Sequence, residues 1–423
     1  MSVEKGELHL SNDKLIQLGY LIKQNRMKNN MSMEALAQYV GISKGYMSEI
    51  ESGKKRMKKY TIKKIFSELS MQYDIEETTY LDMENLLFLL YETIINGDKE
   101  NSDSIIKKIK EKARVYTESL GFVDYCLSCL VYSVLYKEEE NGITEILDHL
   151  SNCEGTLDRR RLAIYYDCVG LKSMNENNMI SAKKNFIKAL EQAPGIDILG
   201  VIYYHYCLFN LTSNNLFGAY IYSEQAYRYF REDCNHYGQQ LIVMQQGVIN
   251  VRFCRYKEAE KIFLGLIKGL EKYKIKNNYV YILDMLSWCY FKKKDYLKCI
   301  STVNKALEND STSEFILFYK LFSYWKLKKY DICLKEIKSA RERLPANGFH
   351  KFYLNAIYCG IINDIGECIS NFEKCYRYVS RLRQHELMEF IGKLLVYEFV
   401  GINDINKRNY YLNELVKLKS TCY

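Results

Sequence analysis

The sequence predicts an all-α chain: a small basic helical module at the N-terminus, then a long array of helix pairs. Three observations carry that expectation. Only 2 prolines occur in 423 residues. Proline lacks an amide N–H and clashes inside a helix, so its scarcity suits a chain that is helical nearly throughout. Charge is uneven: residues 1–73 hold 13 Lys and Arg against 7 Asp and Glu, so +6 of the formal +8 lies in the first sixth, as in a module that meets a polyanion. From residue 163 onward, small residues recur at fixed offsets, the mark of an internal repeat.

In the N-terminal module, Leu15, Ile16, Leu18, Leu21 and Ile22 form one apolar stripe that ends near Lys28. Ser32 suits the N-cap of a helix over Met33–Val40, with Ala35, Leu36, Ala37 and Val40 on its buried side. Gly41 closes it, and Ser43 caps a third helix, Lys44–Ser52, that turns Met47 and Ile50 inward and stops at Gly53. A fourth runs from about Thr61 to Gln72 around Ile62, Ile65, Phe66 and Leu69. Two helices joined by a tight turn, the second short and capped, make a helix-turn-helix pattern. With Met47 and Ile50 inward, Lys44, Gly45, Ser48 and Glu49 point out toward a major groove. Lys44 can donate to guanine and Glu49 can accept from cytosine. Lys54, Lys55 and Arg56 follow the third helix; alone they read as a solvated turn.

The string LGYLIKQNRMKNNMSMEALAQYVGISKGYMSEIESGKK resembles the repressor-type domains of phage repressors and Xre regulators over residues 12–73. Arg26, the EALA run, Gly41, Ser43 and the SEIESGK tail carry the resemblance. It implies DNA contacts around Ser43, phosphate contacts at Lys54, Lys55 and Arg56, and an ion pair between Arg26 and Glu51. The chain departs at Met33, where many members place a glutamine that touches DNA.

In the second part, Ala182, Ala219, Ala259, Cys299, Cys333 and Cys368 align. Seven residues on stand Ala189, Ala226, Leu266, Ala306, Ala340 and Cys375; twelve before stand Gly170, Cys207, Gly247, Ser287, Leu321 and Ala356. Between the two later positions lie Phe186, Ser223, Phe263, Val303, Ile337 and Phe372. Small residues let two antiparallel helices approach, and the larger one fills the space between. Pro194 and Pro345 fall at the same repeat position, twelve residues after Ala182 and Cys333. Spacings of 37, 40, 40, 34 and 35 suggest longer loops in the middle.

The pattern resembles the tetratricopeptide repeat. Six pairs are clear over 163–382, and weaker signals extend the array to about nine pairs over 78–419. The resemblance implies a right-handed superhelix with a concave, ligand-binding inner face. In this register Asp167, Tyr204, Asn210, Asn250, Arg252, Asp284, Trp288, Lys292, Phe322, Trp325 and Lys326 line that face. Such a floor suits a short peptide with apolar side chains and charged ends. Packing between repeats is the other use of the same aromatics.

Other classes find little footing. A hydrophobic share of 48% with 26% charged residues excludes a disordered chain. The N-terminus has no apolar stretch of signal-peptide length and no segment of about 20 apolar residues occurs, so a cytoplasmic protein without a membrane partner is expected. The 14 cysteines are scattered through apolar runs, and the single Cys126-Leu-Ser-Cys129 reads as core thiols. The six histidines stand singly, and phosphate loop, HExxH and nucleophile elbow are all missing, so no enzyme, cofactor or metal is expected.

A repressor-type helix-turn-helix followed by tetratricopeptide pairs resembles the peptide-responsive RRNPP-type regulators of Gram-positive bacteria (Rap, Rgg, NprR, PlcR, PrgX). The resemblance implies a quorum-sensing homodimer that binds operator DNA and is controlled by a short signalling peptide. The alternative is a repeat domain that binds and inhibits a protein partner such as a phosphorelay response regulator. Relatives that dephosphorylate such partners use an early-helix glutamine, and here no glutamine lies between Gln72 and Gln192.

Overall fold

The computed structural model describes residues 10–71, 77–136, 142–193, 195, 197–273, 278–309, 313, 315–344, 348–382, 384–401 and 404–420. Among them every regular element is helical. They divide into two compact units, Met1–Ile202 with Asn235–Gly238, and Tyr203–Cys234 with Gln239–Tyr423.

The first unit opens with α1 (Asn12–Lys28), α2 (Met33–Val40), α3 (Lys44–Glu51) and α4 (Lys59–Glu68). Ser11, Ser32 and Ser43 cap the first three, each hydroxyl accepting an amide N–H of the first turn. Leu15, Leu18, Leu21, Ile22, Leu36, Ala37, Val40, Met47, Ile50, Ile62, Ile65 and Phe66 form the core. The fourth helix begins two residues earlier than the apolar pattern suggested, and Gln72 lies outside the described residues. Ile16, expected on the buried stripe, is 40% exposed; five apolar residues over two turns span more arc than one core covers. Gly19 makes the close α1–α3 packing possible, because a Cβ there would sit 2.4 Å from the Ile50 carbonyl oxygen.

The same unit continues with α5 (Glu77–Ile95), α6 (Lys99–Glu111), the short α7 (Ala113–Thr117), α8 (Phe122–Tyr136), α9 (Ile143–Asn152), a 3-10 turn (Glu154–Thr156), α10 (Arg159–Asn175) and α11 (Met179–Gln192). The outward face of α1 docks here. Lys14 Nζ donates to the Leu120 carbonyl at 3.2 Å, Gln17 Nε2 to Thr156 Oγ1 at 2.9 Å, and the Tyr20 hydroxyl lies 2.9 Å from His149 Nδ1. Cys126 and Cys129 are buried in α8, where burial pushes the Cys126 thiol far up, in line with the core reading.

The second unit holds most of α12 (Leu199–Thr212) and α14 (His236–Arg252), with α13 (Leu216–Glu232) and α15 (Tyr256–Tyr273). It continues through α16 (Tyr279–Lys293), α17 (Tyr296–Glu308), α18 (Ile316–Lys326), α19 (Tyr330–Arg343), α20 (Phe349–Ile361), α21 (Ile365–Arg381), α22 (His385–Gly401) and α23 (Ile405–Ser420). From α10 to α21 the helices pair as the offsets required. Ala182, Ala219, Ala259, Cys299, Cys333 and Cys368 are all buried, as are the large fillers Phe186, Phe263 and Phe372. At Gly247 a Cβ would stand 2.5 Å from the Phe263 ring, so the glycine sets how closely α14 and α15 approach. The extra residues of the 40-residue repeats lie mainly in helices: α13, α14 and α15 have 17, 17 and 18 residues, and only three residues separate α13 from α14 and α14 from α15. Longer loops were the wrong expectation there, because loop and helix insertions give the same spacing. Pro194 and Pro345 lie outside the described residues. Among the described residues no helix is long and apolar enough to cross a membrane.

Candidate nucleic-acid interface and ligand groove

Helix α3 presents a polar face over a sealed base. Met47 and Ile50 are fully buried, while Lys44, Gly45, Ser48 and Glu49 are exposed beside the cap Ser43, whose Oγ accepts the Tyr46 N–H at 3.1 Å. The face stays open although the domain is docked through α1. Lys44 Nζ rests 3.3 Å from Glu34 Oε2 at the start of α2, a partner that sequence reasoning missed and that Lys44 must leave to reach a base. Lys54, Lys55 and Arg56 are exposed on a loop held by the fully buried Met57 and by the Tyr46 hydroxyl, which donates to the Arg56 carbonyl at 3.4 Å. Beneath, Arg26 meets Glu51 in a two-pronged pair, Nε–Oε1 2.6 Å and Nη2–Oε2 3.0 Å, with Nη1 donating to the Met31 carbonyl at 2.8 Å. The side chains are 11% and 3% exposed, so the expected pair is present and buried. It fixes α3 to the end of α1.

The residues expected along the repeat floor have several fates. In the first unit Asp167 is wholly buried. In the second, Asn210 is buried and used locally: Nδ2 donates to the Tyr206 carbonyl at 2.7 Å and Oδ1 accepts from Asn215 Nδ2 at 2.8 Å. Asn250 Nδ2 likewise donates to its own helix, at the Gln246 carbonyl. Asp284, Trp288 and Phe322 are buried, Tyr204 and Trp325 half-buried, and Lys326 exposed with its ammonium 4.8 Å from the Trp325 ring centre. An open floor was therefore the wrong picture for Asp167, Asn210, Asp284, Trp288 and Phe322. Trp288 and Phe322 pack into the repeats because degenerate helix pairs need large side chains between them, and Asn210 is taken up by hydrogen bonds within its own helix pair.

The structure brings Arg252, Trp288 and Lys292 together, with α22 lying against them. Arg252 pairs with Glu386 and donates to the Leu211 carbonyl at 2.8 Å and Asn214 Oδ1 at 2.6 Å. Lys292 stands 3.9 Å from Glu389. Phe390 enters the aromatic cluster, 4.9 Å from the Phe291 ring and 5.0 Å from that of Phe322. A cavity of about 180 Å³ remains between these groups.

Residues 22–70 match the family model described as helix-turn-helix. The N-terminal domain is a helix-turn-helix domain. No curated protein matches the chain by sequence. Among solved structures, a Rap protein complexed with Competence and Sporulation Factor is 12% identical, with TM-score 0.64 over 81% of this chain and 99% of its own. The quorum sensor NprR from B. thuringiensis, in its apo form, is 14% identical, with TM-score 0.63 over 81% and 99%. NprR in complex with its cognate peptide NprX gives 0.58 at 14% identity over 80% and 99%. AimR (phAimR) is 13% identical, with TM-score 0.50 over 96% and 100%. At such identities the likeness is one of fold: a helix-turn-helix followed by the helical repeats seen in Rap and NprR.

Proposed function

We propose that the chain is a transcriptional regulator in which residues 12–73 read an operator and residues 78–419 form a sensor for a short signalling peptide. The observation that carries this reading is the exposed α3 face, with Lys54, Lys55 and Arg56 next to it, on a helix-turn-helix joined to repeats of the NprR fold. The peptide half is supported by the NprR–NprX complex. Lys44, Gly45, Ser48 and Glu49 read bases, Ser43 and the basic loop hold phosphates, and the working form is a homodimer in the cytoplasm. Tyr204, Asn250, Arg252, Lys292, Trp325 and Lys326 remain the peptide contacts in this reading, with Trp288 behind them.

The test is selection of bound fragments from genomic DNA with the full chain, repeated with extracts of spent culture medium. The expected result is a short inverted repeat whose affinity changes with the extract. A chain that enriches no sequence refutes the operator reading, and an operator whose affinity no peptide alters refutes the sensor reading.

A further inference from the structure

We infer that α22 is an internal ligand of the repeat groove, and that the peptide which opens the groove carries the same chemistry: two carboxylates one helical turn apart, followed directly by an aromatic ring. This rests on the sensor reading above and names its ligand class.

The argument starts at Arg252. Its side chain is 8% exposed, and its partners besides Glu386 are the neutral Leu211 carbonyl and Asn214 amide oxygen. Any occupant that replaces α22 without a carboxylate leaves a guanidinium buried and unpaired, which is strongly unfavourable. A carboxylate from outside restores the pair at little net change, because one buried ion pair is exchanged for another. Lys292, 17% exposed, stands at the longer distance of 3.9 Å from Glu389, whose closer partner is Lys393 of the same helix at 2.5 Å. Glu386 and Glu389 stand three residues apart, so both point to one side of α22. Phe390 follows, packed on Phe291, Phe318 and Phe322.

Each helix pair is sealed by small and apolar residues such as Ala259, Phe263, Cys299 and Val303, which no soluble peptide can replace piecemeal. Elsewhere α22 buries Leu387, Ile391 and Leu395 in the core, but the face it turns to Arg252 and Lys292 is made by two charges and one ring, and that face is the exchangeable one. The end of α22 is held by His385, whose Nε2 lies 3.2 Å from the Thr212 carbonyl. The cavity of about 180 Å³ beside Arg252, Trp288 and Lys292 gives an incoming side chain a first foothold.

The experiment uses the full chain and a blocked synthetic peptide copied from residues 385–392, HELMEFIG, with counterparts carrying Gln or Lys for both glutamates. Tryptophan emission reports the groove, and hydrogen exchange of α22 amides reports displacement. The acidic peptide is expected to shift emission and speed α22 exchange, with the Gln and Lys counterparts at least about tenfold weaker, a difference of about 1.4 kcal/mol. A Glu386→Gln/Glu389→Gln chain should bind the acidic peptide more tightly than the unsubstituted chain, because its own helix competes less. Equal binding of acidic and Gln peptides, or binding without faster α22 exchange, overturns the inference; so does failure of the acidic peptide to bind the unsubstituted chain at millimolar concentration. These peptide comparisons decide even if the double variant does not fold. A basic peptide that changes operator affinity would overturn this inference and leave the sensor reading standing. Displacement of α22 without any change in operator affinity would do the reverse.

Discussion

Replacing Arg26 with methionine keeps an unbranched apolar stem and removes the guanidinium with its charge. Glu51 then remains with its carboxylate 3% exposed and both former partners, Nε and Nη2, gone. The Met31 carbonyl loses its donor as well. Orphaning one member of a buried pair costs about 3–5 kcal/mol. The low end applies, because α3 lies at the edge of a small domain where water can enter once the helix shifts. About 3 kcal/mol corresponds to a rise of roughly 150-fold in the population with α3 detached. Hydrogen exchange of the full chain reads this directly: α3 amides that exchange by local opening should speed up by about two orders of magnitude, while α16 and α18 stay unchanged. Glu51→Gln should cost less, since the amide oxygen still accepts one hydrogen bond. Operator affinity should fall with Arg26→Met although Arg26 faces away from the α3 surface. Unchanged α3 exchange in both variants would refute the claim that this pair holds the reading helix.

Other expectations follow from named contacts. Replacing Lys54, Lys55 and Arg56 with Ala should weaken binding to every DNA sequence and lower the salt slope by up to about 3, at roughly 0.9 per lost phosphate contact, as a salt titration would show. Lys44→Ala should change which operator wins a selection rather than the salt slope. Gly247→Ala places a Cβ against Phe263 and should cost about 1–3 kcal/mol in a denaturant melt. Glu260 is partly buried, which would raise its pKa, but hydrogen bonds from Lys293, Lys298 and Tyr290 bring it down to about 2. A carboxylate depressed in the folded state adds stability above its unfolded pKa of 4.5 and loses it as pH falls toward 2. Melts between pH 5 and 2 should therefore be less pH-dependent for Glu260→Gln.

The helix-turn-helix was legible because its signals are local: Ser32 and Ser43 caps, Gly41 and Gly53 stops, and the spacing of Met47 and Ile50. Arg26 and Glu51 were legible only through the resemblance, since 25 residues separate them. The repeats were legible because close helix approach demands small residues at fixed offsets, as Ala182 and Cys299 show by being fully buried. What stayed hidden depends on distant parts of the chain meeting. Nothing local marks Glu386 as the partner of Arg252, or Phe390 as a neighbour of Phe322. An inward aromatic in a register cannot say whether solvent, a peptide or another helix covers it. The same holds for Gly19, which looks ordinary until α3 is laid against it.

The docking of α1 gives one helix two masters. Leu15, Leu18 and Ile22 belong to the DNA-reading core, while Lys14, Gln17 and Tyr20 belong to the neighbouring helix pairs. A reader on a slack tether would pay orientational entropy each time it settled on DNA. Here that loss is already met during folding, so the bare protein arrives with α3 aimed and association is less costly in ordering. The same arrangement makes the reader and its first supporting helices one cooperative block, and mild destabilisation of α8 or α9 should loosen α3 even though they share no contact with DNA.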